Sequence, residues 1–122
     1  KFLDATSIVI KELAEKNNVV ILGRGGNMIL RDYPNSLHVD VIAPIERRIQ
    51  TIMSREHLDE TNARTFVENH EAARITFFKK AFDVDPLDSS LYHMILNMDH
   101  LKTETAAEIV AHATQDMAYQ IN

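Results

Sequence analysis

All three glycines of this 122-residue chain fall within four positions, Gly23-Arg24-Gly25-Gly26, directly behind the apolar run Val19-Val20-Ile21-Leu22. A short β-branched run bounded by turn residues reads as a fully buried strand. Glycine adopts left-handed backbone without a Cβ penalty, so a strand ending in such a cluster can turn sharply and bring its main chain against a ligand. In an open parallel sheet, ligands gather beyond the carboxyl ends of the strands. Arg24 stands at such an end, and its guanidinium can grip a phosphate through two parallel hydrogen bonds. A tight turn whose arginine simply faces water would read the same way.

The remaining sequence alternates helical and strand periodicity. Phe2, Ala5, Val9 and Leu13 recur at helical spacing and predict a helix over the first sixteen residues, broken at Asn17-Asn18. Asn27–Leu30 reads as a helical turn and 32–36 as a loop. Leu37–Ala43 reads as a strand, with Leu37, Val39, Val41 and Ala43 alternating against His38 and Asp40. Pro44 stands where a helix starts, since a missing N–H costs nothing there, and Ile45, Ile49, Ile52 and Met53 form that helix's apolar stripe. Asp59 is placed to cap a long helix reaching about Phe82. A loop over 83–90 leads to a third strand, Tyr92–Met98. The last helix starts near Thr103 or Thr105. Thr105 and Glu108 fit a capping box, and Ala106, Ile109, Val110, Ala113 and Met117 form its stripe. Buried strands alternating with helices predict an α/β fold, a parallel sheet covered by helices on both faces, in one domain over 1–122.

The bulk chemistry narrows the partners. Acidic residues outnumber basic ones for a net charge of −5, whereas duplex binding draws most of its affinity from a basic face. Nucleic acid is therefore not an expected partner, while a small phosphorylated ligand held by a few arginines is compatible. The apolar runs are only a few residues long, so no membrane span is expected, and no signal peptide is visible. The absence of cysteine excludes disulfides and Cys-zinc sites and fits a reducing cytoplasm. The chain opens at Lys1, without methionine and already inside a helical pattern, so a start in mid-protein is expected.

Several basic residues could serve an anion. Arg48 and Arg55 are seven apart and share a helix face, whereas Arg47 points elsewhere; a solvated face paired with Glu46 and Glu56 is the plainer reading. On the long helix, His70 and Arg74 fall within the stripe Ala63, Phe66, Val67, Ala73, Phe77, Phe78 and Ala81. A buried arginine is costly unless paired, so Arg74 needs a carboxylate or a cleft that holds an anion, and Glu71 lies one turn before it. His70 reads more readily as a packed core histidine than as a base. His38 and Asp40 share a strand face but lack a third ligand, Lys79-Lys80 reads as a solvated helix end, and no metal site is expected. The Gly-x-x-x-x-Gly-Lys-Ser/Thr loop is absent from these residues.

With those residues placed, the chain resembles the cytidylate-kinase-like family of P-loop nucleoside monophosphate kinases. The ordered set is Val19 to Gly25, then Leu37-His38-Val39 through Ala43-Pro44, Glu46-Arg47-Arg48, Asp85-Pro86, Leu91-Tyr92 and Leu96-Asn97. The resemblance implies phosphoryl transfer from ATP, with Mg2+, to a cytidine-type monophosphate, and nucleotide ligands as partners. It implies that Arg24, with Gly23 and Gly25, holds the acceptor nucleotide. Gly25 stands where cytidylate kinases proper carry aspartate. It places Arg47 near ATP in the lid and Arg74 near the transferred phosphate. The paired lid arginines of the family fall at Gln50 and Thr51, leaving Arg55 as the nearby substitute. The resemblance covers the family's C-terminal two-thirds, so the loop-bearing first strand belongs between Val19–Leu22 and Leu37–Ala43, and that slot is expected to be empty. A non-catalytic nucleotide-binding or regulatory module, or an oligomerisation domain forming a homo-oligomer, stands as the alternative.

Overall fold

The protein is described by a computed structural model covering residues 2–16 and 18–121, with side chains over 4–16 and 18–116. Asn17 and the side chains of Phe2 and Met117, named above, lie outside the described residues. The elements are α1 (Phe2–Lys16), α2 (Gly26–Ile29), β1 (Val39–Ile42), α3 (Ile45–Glu56), α4 (Glu60–Phe82), a 3-10 turn (Ser89–Leu91), β2 (Met94–Asn97) and α5 (Thr103–Ile121).

The helices follow their sequence signals closely. Pro44 precedes α3 and accepts from the Arg48 N–H through its carbonyl, 3.1 Å. Asp59 caps α4, its carboxylate accepting from the Asn62 N–H at 2.8 Å. At the far end Asp83 takes left-handed backbone, φ 55°, and its N–H donates to the Lys79 carbonyl at 3.0 Å. Ile49, Ile52, Ala63 and Val67 bury together between α3 and α4, with Met53, Leu58 and Phe66 packed against them. This helical hairpin is the best-formed core of the described chain. α5 starts at Thr103, and the Ala106 N–H donates to the Lys102 carbonyl, so the Thr105–Glu108 capping box falls inside the helix and does not form.

The sheet is smaller than the sequence pattern predicts. β1 and β2 pair in parallel, Val39 opposite Met94 and Ile42 opposite Asn97. Cross-strand bonds reach one residue past the pair at each end, from the His93 N–H to the His38 carbonyl at 2.8 Å and from the Met98 N–H to the Ile42 carbonyl at 2.7 Å, and there side chains take over. The His38 N–H donates to the side chain of His93, and Asn97 Oδ1 turns the chain by accepting from the Asp99 N–H. The first expected strand, Val19–Leu22, is a correction: the segment has no strand pairing, and Val20 and Leu22 are 88% and 85% exposed. A strand exists only through its neighbours' hydrogen bonds, and the described residues offer this run none. Val41, Ile42 and Ile95 are also substantially exposed, so the fold is a helix-rich α/β arrangement around a two-stranded parallel sheet, not a sheet covered on both faces. α1 is corrected in its facing. Ile10 is its buried residue, while Val9 and Leu13 of the expected stripe are exposed.

Candidate nucleotide site

The glycine turn is built on three successive left-handed residues, Gly23 (φ 68°), Arg24 (φ 60°) and Gly25 (φ 72°). The Gly26 N–H closes the turn onto the Gly23 carbonyl at 3.1 Å, and the N–H groups of Met28 and Ile29 converge on the Gly25 carbonyl at 2.9 and 3.0 Å. Gly25 is buried, and a Cβ there would stand 2.5 Å from the Phe82 ring at the end of α4. A side chain at this position therefore requires the Phe82 ring to move. Arg24, by contrast, is exposed, and among the described residues no hydrogen bond or ion pair engages it.

A separate cavity of about 450 Å³ opens beyond the carboxyl ends of β1 and β2. Its apolar wall includes Val41, Ile52, Phe66 and Met98, and its basic wall is Arg47, Arg48, Arg55 and His70. Arg47 thus joins Arg48 and Arg55 rather than pointing away from them. The three guanidinium groups are only loosely paired: Arg47 with Asp99 at 3.8 Å, Arg48 with Glu71 at 3.6 Å, Arg55 with Glu56 at 3.5 Å. Glu46, offered by the sequence as a partner here, instead takes Arg64 through both carboxylate oxygens at 3.0 and 3.2 Å. His70 is exposed rather than packed in a core, its ring edge-on to Phe66 with centroids 4.3 Å apart.

Arg74 lines neither the glycine turn nor this cavity. It finds the carboxylate that its place on α4 demands, but the partner is Asp40 on β1, at 3.6 Å, and not Glu71. Arg74 also donates to the Tyr92 hydroxyl at 2.7 Å and lies 5.2 Å from the centroid of the Phe78 ring. Tyr92 in turn donates to the Pro86 carbonyl at 2.8 Å. Burial pushes the Tyr92 hydroxyl up from its ordinary pKa, with the Arg74 charge opposing and Asp40 adding to the rise. Sequence reasoning left Asp40 and Tyr92 out of this network. Their strand periodicity gives the face but not which α4 residue crosses it. The described residues contain no group of three His, Cys, Asp or Glu side chains placed to hold a metal ion, and no described helix is long and apolar enough to cross a membrane.

The fold therefore presents a parallel strand pair, a glycine turn with a free arginine and an arginine-walled cavity at the strand ends. The pattern of the cytidylate kinase-like family matches residues 1–100, and the chain belongs to that family. It is 29% identical over 119 residues to a cytidylate kinase of Methanoregula boonei, covering 96% of this chain and 63% of that protein. A cytidylate kinase of Methanopyrus kandleri is 30% identical over 95 residues, 71% of this chain and 49% of that protein. The chain thus spans about half to two-thirds of these relatives. An uncharacterized Eubacterium ventriosum protein of known crystal structure superposes with TM-score 0.86 at 22% identity, over 93% of this chain and 65% of its own, which shows the shared fold.

Proposed function

We propose that this chain is the nucleotide-binding part of a nucleoside monophosphate kinase-like protein which, when complete, transfers a phosphoryl group from ATP to a cytidine-type monophosphate. The observation that carries the reading is the cavity at the strand ends, whose three loosely paired arginines face an apolar wall. That division suits a ligand with a flat apolar end and a polyanionic end. Phosphoryl transfer is chiefly positioning and charge stabilisation. Arg47 and Arg55 serve the ATP phosphates in this reading. Arg24 holds the acceptor phosphate from the turn made by Gly23 and Gly25, and Arg74 reaches the transferred phosphate by exchanging Asp40 for it. The cavity wall offers guanidinium groups and no carboxylate, so it fits phosphate and not a bare cation. Magnesium in this scheme would arrive with ATP rather than on residues of this cavity, and would neutralise phosphate charge. The complete sheet would be covered on both faces, with Val19–Leu22 recruited as a strand.

The test is a nucleotide panel on the full-length protein, scoring binding by calorimetry and ATP turnover separately. Binding of ATP that falls on Arg47→Ala or Arg55→Ala, together with turnover, supports the kinase. Binding without turnover supports the non-catalytic module, which the closed Gly25 position favours, since the base contact of an aspartate there is lost. No nucleotide binding at all would sink both readings.

A further inference from the structure

Two histidines outside the cavity join the glycine turn to the sheet. The rings of His38 and His93 stack with centroids 5.0 Å apart and planes 13° from parallel. His38 is buried at 8% exposure, while His93 is open to water. The His38 N–H donates to His93 Nδ1 at 2.9 Å, and the His38 carbonyl accepts from the His93 N–H at 2.8 Å. On its other side, His38 Nε2 lies 3.3 Å from the Leu30 carbonyl and 3.2 Å from Ser36 Oγ. Ser36 Oγ itself donates to the Tyr33 carbonyl at 2.8 Å.

These partners dictate both tautomers. A carbonyl only accepts, so His38 carries its proton on Nε2; a backbone N–H only donates, so His93 Nδ1 is bare. His93 is therefore neutral in this arrangement, and burial favours the neutral form of His38. Leu30 follows α2 directly, and its own N–H donates to the Gly26 carbonyl at 2.9 Å. The bonds run from the glycine turn through α2 to Leu30, from Leu30 to the His38 ring, and from the His38 backbone to His93 at the start of β2. A proton on His93 Nδ1 replaces an acceptor with a donor facing the His38 N–H. It also sets a charge against a stacked neighbour.

We propose that His38 and His93 form a proton-sensitive latch that positions the Arg24-bearing turn against the sheet, closed while both rings are neutral and released in acid. The regulatory meaning rests on reading that turn as the acceptor site; the latch itself does not. Asp40, two residues along β1 from His38, is paired with Arg74 of α4, and Tyr92, the neighbour of His93, is engaged by the same arginine. Burial holds the His38 pKa below its ordinary value, the neighbouring His93 adds to the depression, and the Leu30 carbonyl opposes it. The unfolded chain then binds the extra proton below about pH 6.5. The His38 contribution to stability is complete above that pH and is lost as pH falls from there toward its folded value.

The experiment is an NMR titration of the isotope-labelled protein from about pH 8 to about pH 5, following the histidine rings and the amides of 26–30. The turn amides should shift with the His93 midpoint, and their exchange, corrected for intrinsic rate, should quicken by about tenfold or more. His93→Asn, which keeps an acceptor oxygen but does not titrate, should erase the transition. A turn that does not respond, or a transition that survives in His93→Asn, overturns the latch. Should that variant fail to fold, separate midpoints for His93 and the turn in the unaltered protein overturn it equally. Calorimetry with cytidine monophosphate separates the two readings. Affinity should drop through the transition more steeply in the unaltered protein than in His93→Asn, which cancels the phosphate's own titration. Equal slopes overturn the regulatory link. A working latch without nucleotide binding sinks the acceptor-site reading alone.

Discussion

Asp40 is the residue on which the part-buried polar network turns. Its side chain is 13% exposed, and Arg74, at 41%, is the cation beside it. Arg74→Met removes that partner and leaves a mostly buried carboxylate, so it should destabilise the fold by about 1 kcal/mol, a value kept modest because the arginine is partly solvated. Asp40→Asn in the same background should recover most of the loss in urea denaturation. A loss of the same size with and without the Asp40 change would show that the ion pair contributes nothing. Gly25 allows a sharper expectation, since Gly25→Ala meets both the left-handed backbone and the Phe82 ring. It should cost about 1–3 kcal/mol, with Phe82→Leu in the double variant relieving the steric part. Arg24→Ala should leave stability untouched and weaken monophosphate binding in a complete protein by about 1.5–3 kcal/mol, the usual loss for a charged hydrogen bond. Unchanged affinity by calorimetry would remove Arg24 from the site.

At the level of elements, Asp59→Ala should cost α4 about 1 kcal/mol by freeing the Asn62 N–H, measurable as a lowered denaturation midpoint. That cap was legible in the sequence, as were Pro44 before α3 and the span of α4, because helix ends are decided by local chemistry within a few residues. The strands were legible only where a neighbour exists. β1 and β2 are found inside Leu37–Ala43 and Tyr92–Met98 because they pair with one another, while Val19–Leu22, apolar throughout, has no partner strand among the described residues. The facing of α1 failed for a like reason, since the packing surface covers Ile10 and leaves Val9 and Leu13 at 53% and 36% exposure. The candidate site was legible in its residue types and not in its connections. An arginine on an apolar stripe signals a carboxylate, but only the fold tells that Asp40 supplies it and that Glu71 serves Arg48. The His38–His93 pair left no local signal, being formed by residues 55 positions apart.

For the molecule as a whole, the decisive question is what lies beside β1. In a strand, the N–H and C=O of one residue point the same way, and alternate residues point to opposite sides. The His38 carbonyl accepts from the β2 side, from His93 and Met94, and the Ile42 carbonyl accepts from Met98. His38, Asp40 and Ile42 therefore direct their backbone groups toward β2. Val39 and Val41 direct theirs the other way, to an edge that no described strand covers. Unpaired edge groups beside exposed Val41 make an adhesive surface. The family resemblance predicts a further parallel strand on this edge, between Val19–Leu22 and β1. In the 122-residue chain, the amides of Val39 and Val41 should exchange with solvent far faster than those of Asp40 and Ile42. In the full-length protein all four should be protected together, by about tenfold or more for the two valines, and Val19–Leu22 should gain protection with them. Hydrogen exchange resolved by NMR decides it. Protection of Val39 and Val41 already present in dilute 122-residue chain would mean that the edge is closed from within. Valine amides that stay open in the full-length protein would mean that no strand enters the slot, and the kinase reading would fall with it.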